Sequence, residues 1–168
     1  MDCTQAIRAR RSIRRFKPGA PVPRQDVETM LEAAMMAPSA RNLRPWEFFV
    51  VDNPELKARL RRAHPFSSML DTAALAIVVC GRPDDQKGVV SGYWPLDCGA
   101  AVENLLLQAV ALGYGACWCG CWPSPRISVL QEILGTQSVP AALIAVGVPD
   151  EDPAPRGFYQ ADKVTWLS

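Results

Sequence analysis

A strong charge imbalance is missing from this chain: 18 Lys and Arg stand against 17 Asp and Glu, a net charge of +1, which argues against a general polyanion binder such as a nucleic-acid protein. Also missing is an apolar run of the ~20 residues that a helix needs to cross a bilayer. The longest runs, such as Ala73 to Cys80, are too short, and the N-terminal MDCTQAIRAR carries no apolar h-region, so a soluble cytoplasmic protein without a membrane partner is expected. Cysteines at loop spacings are missing too. Cys3, Cys80, Cys98, Cys117, Cys119 and Cys121 sit mostly inside apolar stretches, as reduced core thiols do, and not in a disulfide framework. Histidine occurs once. His64 ends an arginine-rich helix beside Pro65, where the expected role is a C-terminal helix charge and not a base. With no internal repeat and no break in composition, the 168 residues, 49% of them hydrophobic, read as a single domain able to bury ~70% of its unfolded surface.

What is present is organised around Asp97 to Trp122, DCGAAVENLLLQAVALGYGACWCGCW. Between Cys98 and Leu112 only Glu103, Asn104 and Gln108 are clearly polar, so the apolar residues pass nearly all the way round a helix and no face is left for water. Gly113 stops this central helix, and the chain turns at Gly115 into a strand lightly covered by side chains, which a flat ligand could approach closely. Glu103 and Asn104 are expected to be satisfied polar groups in a buried helix.

Before it, Asp2 or Thr4 can cap a short helix through Arg10, and RSIRRF then favours an extended segment ending at Pro18-Gly19. Val27, Met30, Leu31, Ala34 and Met35 mark a second helix that Pro38 ends. Ala37 to Trp46 is a loop, Trp46 to Asp52 a strand, and Asn53-Pro54 opens a charged helix to about His64. Ala73 to Gly81 reads as a middle strand covered on both faces. Arg82 to Gly92 is a polar loop long enough to move and to border a site. Downstream, Pro123 to Leu134 predicts a helix with Ser124 as cap and Pro125 first, and Pro140 to Val148 a last buried strand. The tail from Pro149 is too rich in proline and charge for a core of its own, yet ends in Val164, Thr165 and Trp166, so it is expected to pack on something else.

Cationic charge is local. Arg8, Arg10, Arg11, Arg14, Arg15 and Lys17 lie within ten residues, and arginine forks with a serine hydroxyl and backbone N–H groups are what a phosphate needs from several directions. A solvated basic edge is the plain alternative. The loop APSARNLRPW would by itself be only a polar connection.

Taken in order, RRSIRRF, a helix running into APSARNLRPWEFFVV, a buried strand ending in VVC, WPLDCGAAVENLLLQAVALGYGACWCG, and PAALIAVGVP before a proline-rich basic tail together resemble the FMN-dependent nitroreductase family over almost the whole chain. The resemblance implies an α+β homodimer with a central mixed sheet wrapped by helices, an extended C-terminal arm, and FMN held in clefts between subunits. It implies that Arg10, Arg11, Ser12 and Arg14 bind the phosphate, ribityl chain and pyrimidine end. Pro38, Ser39 and Asn42 would line the isoalloxazine ring from the other subunit, the backbone at Cys119 and Gly120 would lie beside N5, and Arg156 would complete the phosphate site. The implied activity takes hydride from NADH or NADPH onto flavin N5 and passes electrons in ping-pong order to a small-molecule acceptor such as a nitroaromatic or quinone. No side chain is required as a catalytic residue, because the flavin is the reactive group. The alternative is an FMN carrier or sensor with little turnover. Substrate choice would lie in Pro65 to Leu70 and Arg82 to Tyr93, with Trp94 and Trp122 as aromatic walls.

Two positions depart from the family pattern. The tail, PRGFYQADKV, holds one arginine where relatives often carry two basic residues, leaving Lys163 as the only further candidate; and Ser67 and Ser68 stand where some relatives have a lysine near the pyrimidine ring, leaving Arg14 as the cation there. Cys117, Cys119 and Cys121 at period two would share one strand face. They lack a fourth ligand and the usual C-x₂-C spacing, so packing against the flavin is the preferred role and no metal is expected.

Overall fold

The computed structural model describes residues 1–88, 92–154 and 156–167. Among the described residues, five helices and four strands follow one another as α1 (Cys3–Ala9), α2 (Arg24–Met35), β1 (Trp46–Val51), α3 (Pro54–Ala63), β2 (Leu75–Gly81), α4 (Trp94–Ala111), β3 (Gly115–Gly120), α5 (Ile127–Leu134) and β4 (Val139–Gly147). Local chemistry explains most boundaries. Asp2 caps α1 in a full capping box with Gln5, and Asn53 caps α3 by accepting from the N–H groups of Glu55 and Leu56, with Pro54 in the first turn. Gly113, at φ 88°, supplies the left-handed residue that lets the chain leave α4 and re-enter as β3.

The strands form one sheet in the order β1-β2-β4-β3. Among the described residues every strand pair is antiparallel, and the expected mixed character is confined to an isolated parallel bridge between Ser12 and Ala116. The chain between α1 and α2 reaches the outer edge of β3 there, but its contact is too short to count as a strand. β2 is buried along its whole length and lies inside the sheet, as its continuous apolar run requires.

Alternation along β2 and β4 divides the core. Leu75, Ile77, Val79, Ala142, Ile144 and Val146 meet α4 and α2 on one face. Ala76, Val78, Cys80, Leu143 and Ala145 join Cys117, Cys119 and Cys121 beneath α3 and α5 on the other. The three cysteines of the β3 region therefore do share one side of the sheet.

Three expectations need correction. α5 begins at Ile127 and not at Pro123. Pro125 disfavours the helical conformation at Ser124, and the Ser124 Oγ accepts from the N–H of Arg126 at 3.2 Å, a turn ahead of the helix. α4 begins at Trp94, three residues before Asp97. It is also not covered all round: its core stripe is buried, but Leu107 and Val110 are half-buried and Leu96 is 69% exposed. Asn104 and Glu103 do find partners, Ala33 O at 3.0 Å and the Arg10 guanidinium. Of the loop Arg82 to Gly92, residues 89–91 lie outside the described residues; the part before them makes a 3₁₀ turn, Pro83–Gln86, that buries Gln86. Among the described residues from Pro149 onward there is no helix or strand beyond a 3₁₀ turn at Ala161–Lys163, and Trp166 and Leu167 are almost fully exposed. Among the described residues no helix is long and apolar enough to cross a membrane.

Gly81 sits against the Trp94 ring so closely that a Cβ would overlap it. Gly81→Ala is expected to destabilise the protein by ~1–3 kcal/mol, as overpacking of a filled core does, with partial recovery in a Gly81→Ala/Trp94→Leu double variant. Urea unfolding midpoints of the three proteins check it.

Candidate functional site

The cationic segment lies where it does because two of its residues are apolar. Ile13 and Phe16 are buried, Ile13 against Gly115 and Phe16 against Gly147, each at a place where a Cβ would crowd it. Backbone bonds fix the rest. The Ile13 N–H donates to Ala116 O at 2.9 Å, Lys17 N–H to Val148 O at 2.9 Å and Asp150 N–H to Arg15 O at 2.9 Å. With the apolar side chains turned inward, the residues between them are displayed.

Arg10, Arg11, Ser12, Arg14 and Arg156 are thereby brought together. They line one cavity of about 380 Å³, with Ile7, Pro153 and Glu151. Four guanidinium groups face one carboxylate. Glu151 accepts from the backbone N–H groups of Arg14 and Arg15, and chiefly the first of these holds its carboxyl below the usual carboxylate range. Arg11 is spent on the carbonyls of Arg10 and Ala154. The Arg10 Nε lies 3.0 Å from Glu103 Oε1, yet its N–H is not aimed at that oxygen, and it is buried without a hydrogen-bond partner among the described residues. Arg14 makes no ion pair among the described residues. Lys163 does not line this cavity, whereas Arg156 does.

Pro38, Ser39 and Asn42 do not join the arginines within the chain; none lines the cavity. They belong to the connection from α2 to β1, where Arg41, Asn42 and Arg44 all have φ between 50° and 56°, a left-handed conformation that costs non-glycine residues of order 1–3 kcal/mol each. Ser39 Oγ accepts from Arg44 N–H at 3.0 Å and Asn42 Oδ1 from Arg44 Nε at 2.9 Å. The anchor is Asp97, buried in the first turn of α4. One of its oxygens accepts from Ala40 N–H at 3.1 Å and the other from Gln86 Nε2 at 2.7 Å.

Cys119 and Gly120 end β3. Cys119 is buried, its Sγ 3.3 Å from Phe66 O, whereas Gly120 is exposed and a Cβ there would meet nothing within 4 Å. Because Ile13 bonds to Ala116 O on the edge away from β4, the alternation of an antiparallel strand sends the Gly120 N–H to that same open edge. Burial raises the Cys121 thiol to about 12. A Cys117 anion would accept from the Cys119 thiol and feel Arg14, which lowers Cys117 to about 7 and pushes Cys119 up.

Some contributors were not foreseen. Glu151 and Gln86 sit in ordinary polar loops and carry no local signal; Asp97 could have been suspected as a lone carboxylate opening an apolar helix. His64 is not a helix charge. It is buried, with Nε2 2.9 Å from Gly120 O and Nδ1 accepting from Phe66 N–H at 3.3 Å. Trp94 is no open wall either: it is buried, packed edge-to-face on half-exposed Trp122 with ring centroids 5.3 Å apart. A cavity of about 720 Å³ lies between α2, α3 and β1. It gathers no charge of one sign, since Arg24 pairs with Glu28 at 2.8 Å and Lys57 donates to the carbonyls of Ala73 and Ala74.

The family model for the nitroreductase family matches residues 7–65 and 64–148. The chain belongs to the nitroreductase family. Among the nitroreductase-family relatives, a protein of Methanothermobacter thermautotrophicus, provisionally named NADH dehydrogenase/NAD(P)H nitroreductase, is 36% identical over 98% of this chain and 86% of its own length. A provisionally named nitroreductase from Desulfovibrio desulfuricans, solved in complex with FMN, has 30% identity and a TM-score of 0.84, covering 98% of this chain and 96% of that one. An FMN-dependent nitroreductase from Clostridium difficile R20291 has 28% identity and a TM-score of 0.88, covering 98% and 99%. The α+β architecture described above is thus the nitroreductase fold.

Replacing Asp97 by Asn would set an amide donor against one of two existing donors. Asp97→Asn is expected to cost ~1–3 kcal/mol, the penalty for stranding a buried hydrogen-bonding group, measured by chemical denaturation. Glu151 provides a pH test. Its folded pKa is depressed, so its contribution is present above the unfolded value near ~4.3 and is lost as pH falls through the folded value. The stability difference between the parent and Glu151→Gln should therefore shrink on acidification, which thermal melts from neutral to acidic pH would follow.

Proposed function

We propose that this chain is an FMN-dependent oxidoreductase that uses NAD(P)H to reduce a small-molecule acceptor such as a nitroaromatic or quinone, working as a homodimer. The observation that carries the reading is the gathering of Arg10, Arg11, Ser12, Arg14 and Arg156 around one cavity beside a strand edge that ends in the uncovered Gly120. When bound, FMN supplies the hydride and electron transfer that no side chain here can perform.

The residues fit such a group. The guanidinium of Arg10, which lines the cavity while its Nε lies beside Glu103, and that of Arg14, which makes no ion pair among the described residues, suit a phosphate dianion and the electron-rich pyrimidine end. Glu151 keeps the backbone of Arg14 in place from beneath. Gly120 presents a backbone donor and no side chain that would hold a ring off the edge, as a donor toward N5 requires. The two cited structural relatives, one named as FMN-dependent and one solved with FMN, support the choice of cofactor.

A second subunit is needed to complete this arrangement. Pro38, Ser39 and Asn42 stand on an ordered loop away from the cavity of their own chain. Leu96, Leu107 and Val110 of α4 are incompletely covered, and the tail carries Trp166 and Leu167 into solvent. A two-fold partner would cover these apolar groups and bring its own Pro38 loop to the flavin. One cleft then serves donor and acceptor in turn, which gives ping-pong order.

Purified protein is expected to take up about one FMN per subunit and to bleach rapidly under anaerobic NAD(P)H. Arg10→Ala and Arg14→Ala should each weaken FMN binding by ~1.5–3 kcal/mol, the range for hydrogen bonds to charged groups, read by quenching of flavin fluorescence. Mixing Arg10→Ala subunits with Asn42→Ala subunits should restore one intact site per heterodimer; a monomer that still holds FMN would refute the shared site.

A further inference from the structure

His64 is the chain's one imidazole, and both its nitrogens are committed. Phe66 N–H approaches Nδ1 at 3.3 Å and Gly120 O lies 2.9 Å from Nε2. Since Nδ1 accepts, the ring proton belongs on Nε2, where it is donated to the Gly120 carbonyl. The ring also meets Phe66 edge-on, with centroids 6.2 Å apart. Around it the segment after α3 is fastened by Ser67 Oγ to His64 O at 2.8 Å, by Cys119 Sγ to Phe66 O, and by Arg126 Nη1 to Ala63 O at 3.2 Å. The imidazole thus stands on a rigid base.

Its target is the peptide that follows the last residue of β3. Glycine accepts many backbone conformations, Gly120 has no neighbour to restrain it from above, and β3 ends there. The peptide between Gly120 and Cys121 is held on one side by Cys121 N–H to Ala141 O at 2.9 Å and on the other by His64. Holding that peptide restrains ψ of Gly120 and keeps the end of β3 extended in register with β4, so the preceding peptide, which carries the Gly120 N–H, stays turned to the open edge.

We propose that His64 is a positioning residue: through the Gly120 carbonyl it aims the Gly120 N–H at the flavin N5. The proposal rests on the FMN reading above. The same imidazole holds the backbone of Phe66, whose side chain is 77% exposed beside the end of β3, so the cofactor-facing and solvent-facing sides of the cleft share one support.

Two measurements test it. In ¹⁵N-histidine-labelled apoprotein at neutral pH, the His64 ring is expected to show a pyridine-type Nδ1 and a pyrrole-type Nε2; the reverse tautomer, an averaged pair or an imidazolium would overturn the proposal, with or without folded variants. FMN and 5-deaza-FMN, which lacks the N5 acceptor, are then titrated into the parent, His64→Leu and His64→Gln. His64→Leu should bind FMN at least tenfold more weakly and 5-deaza-FMN within twofold of the parent, while His64→Gln, which keeps a donor, stays within threefold for both. Equal losses for both cofactors, or no loss for either, would overturn the positioning role alone. Failure of the parent to take up FMN would overturn the flavin reading and this role with it.

Discussion

Everything at the candidate site depends on two apolar anchors that hold like charges together. Arg10, Arg11, Arg14 and Arg156 repel one another, and left to solvent they would separate. Ile13 and Phe16, buried between them along the chain, each contribute ~1.5–3 kcal/mol of apolar burial, comparable to the repulsion of neighbouring exposed charges at surface-like dielectric. Glycines at 115 and 147 are what allow those anchors to reach the sheet. Glu151 adds one carboxylate beneath the segment, bonded to backbone and not only to guanidinium, so it steadies the cluster while leaving most of its positive charge available to a dianion.

Hydrophobic period and turn chemistry account for what could be read from the sequence. β2 is an unbroken apolar run and lies inside the sheet; α2 repeats at helical spacing; Asn53-Pro54 caps α3, and period two put Cys117, Cys119 and Cys121 on one face. These are signals within a dozen residues. Long-range partners have no such signature. Glu151 reaches Arg14 across 137 positions, Asp97 reaches Ala40 across 57, and His64 reaches Gly120 across 56. His64 shows the difficulty well: by position it resembles a helix-end charge, and only the approach of β3 turns it into a buried bridge. The start of α5 at Ile127 is hidden because Ser124-Pro125 reads as a helix opening but forms a turn ahead of it. The sheet's direction could not be read because strand order is not written in any strand. The arginine cluster was legible as a motif, and its convergence with Arg156 followed from the family resemblance and not from spacing.

The core stripe of α4 is satisfied by its own chain, but Leu96, Leu107 and Val110 are not fully covered. Its composition therefore encodes two layers of contact, one intramolecular and one left over. Sequence periodicity cannot separate them, since both read as apolar. The leftover face lies on the helix whose first turn, through Asp97, also orders the Pro38 to Asn42 loop, so the groups proposed to meet a partner are supported from within.

The left-handed residues of that loop have a kinetic meaning. Arg41, Asn42 and Arg44 are strained before any ligand arrives, and the bonds through Asp97 and Arg44 hold them so. The entropy of ordering the loop is therefore lost during folding and not at encounter. On the proposed reading, association of a planar ligand against it need not wait for rearrangement, and release need not be slowed by a loop refolding around it, which is what successive use of one cleft by donor and acceptor would require.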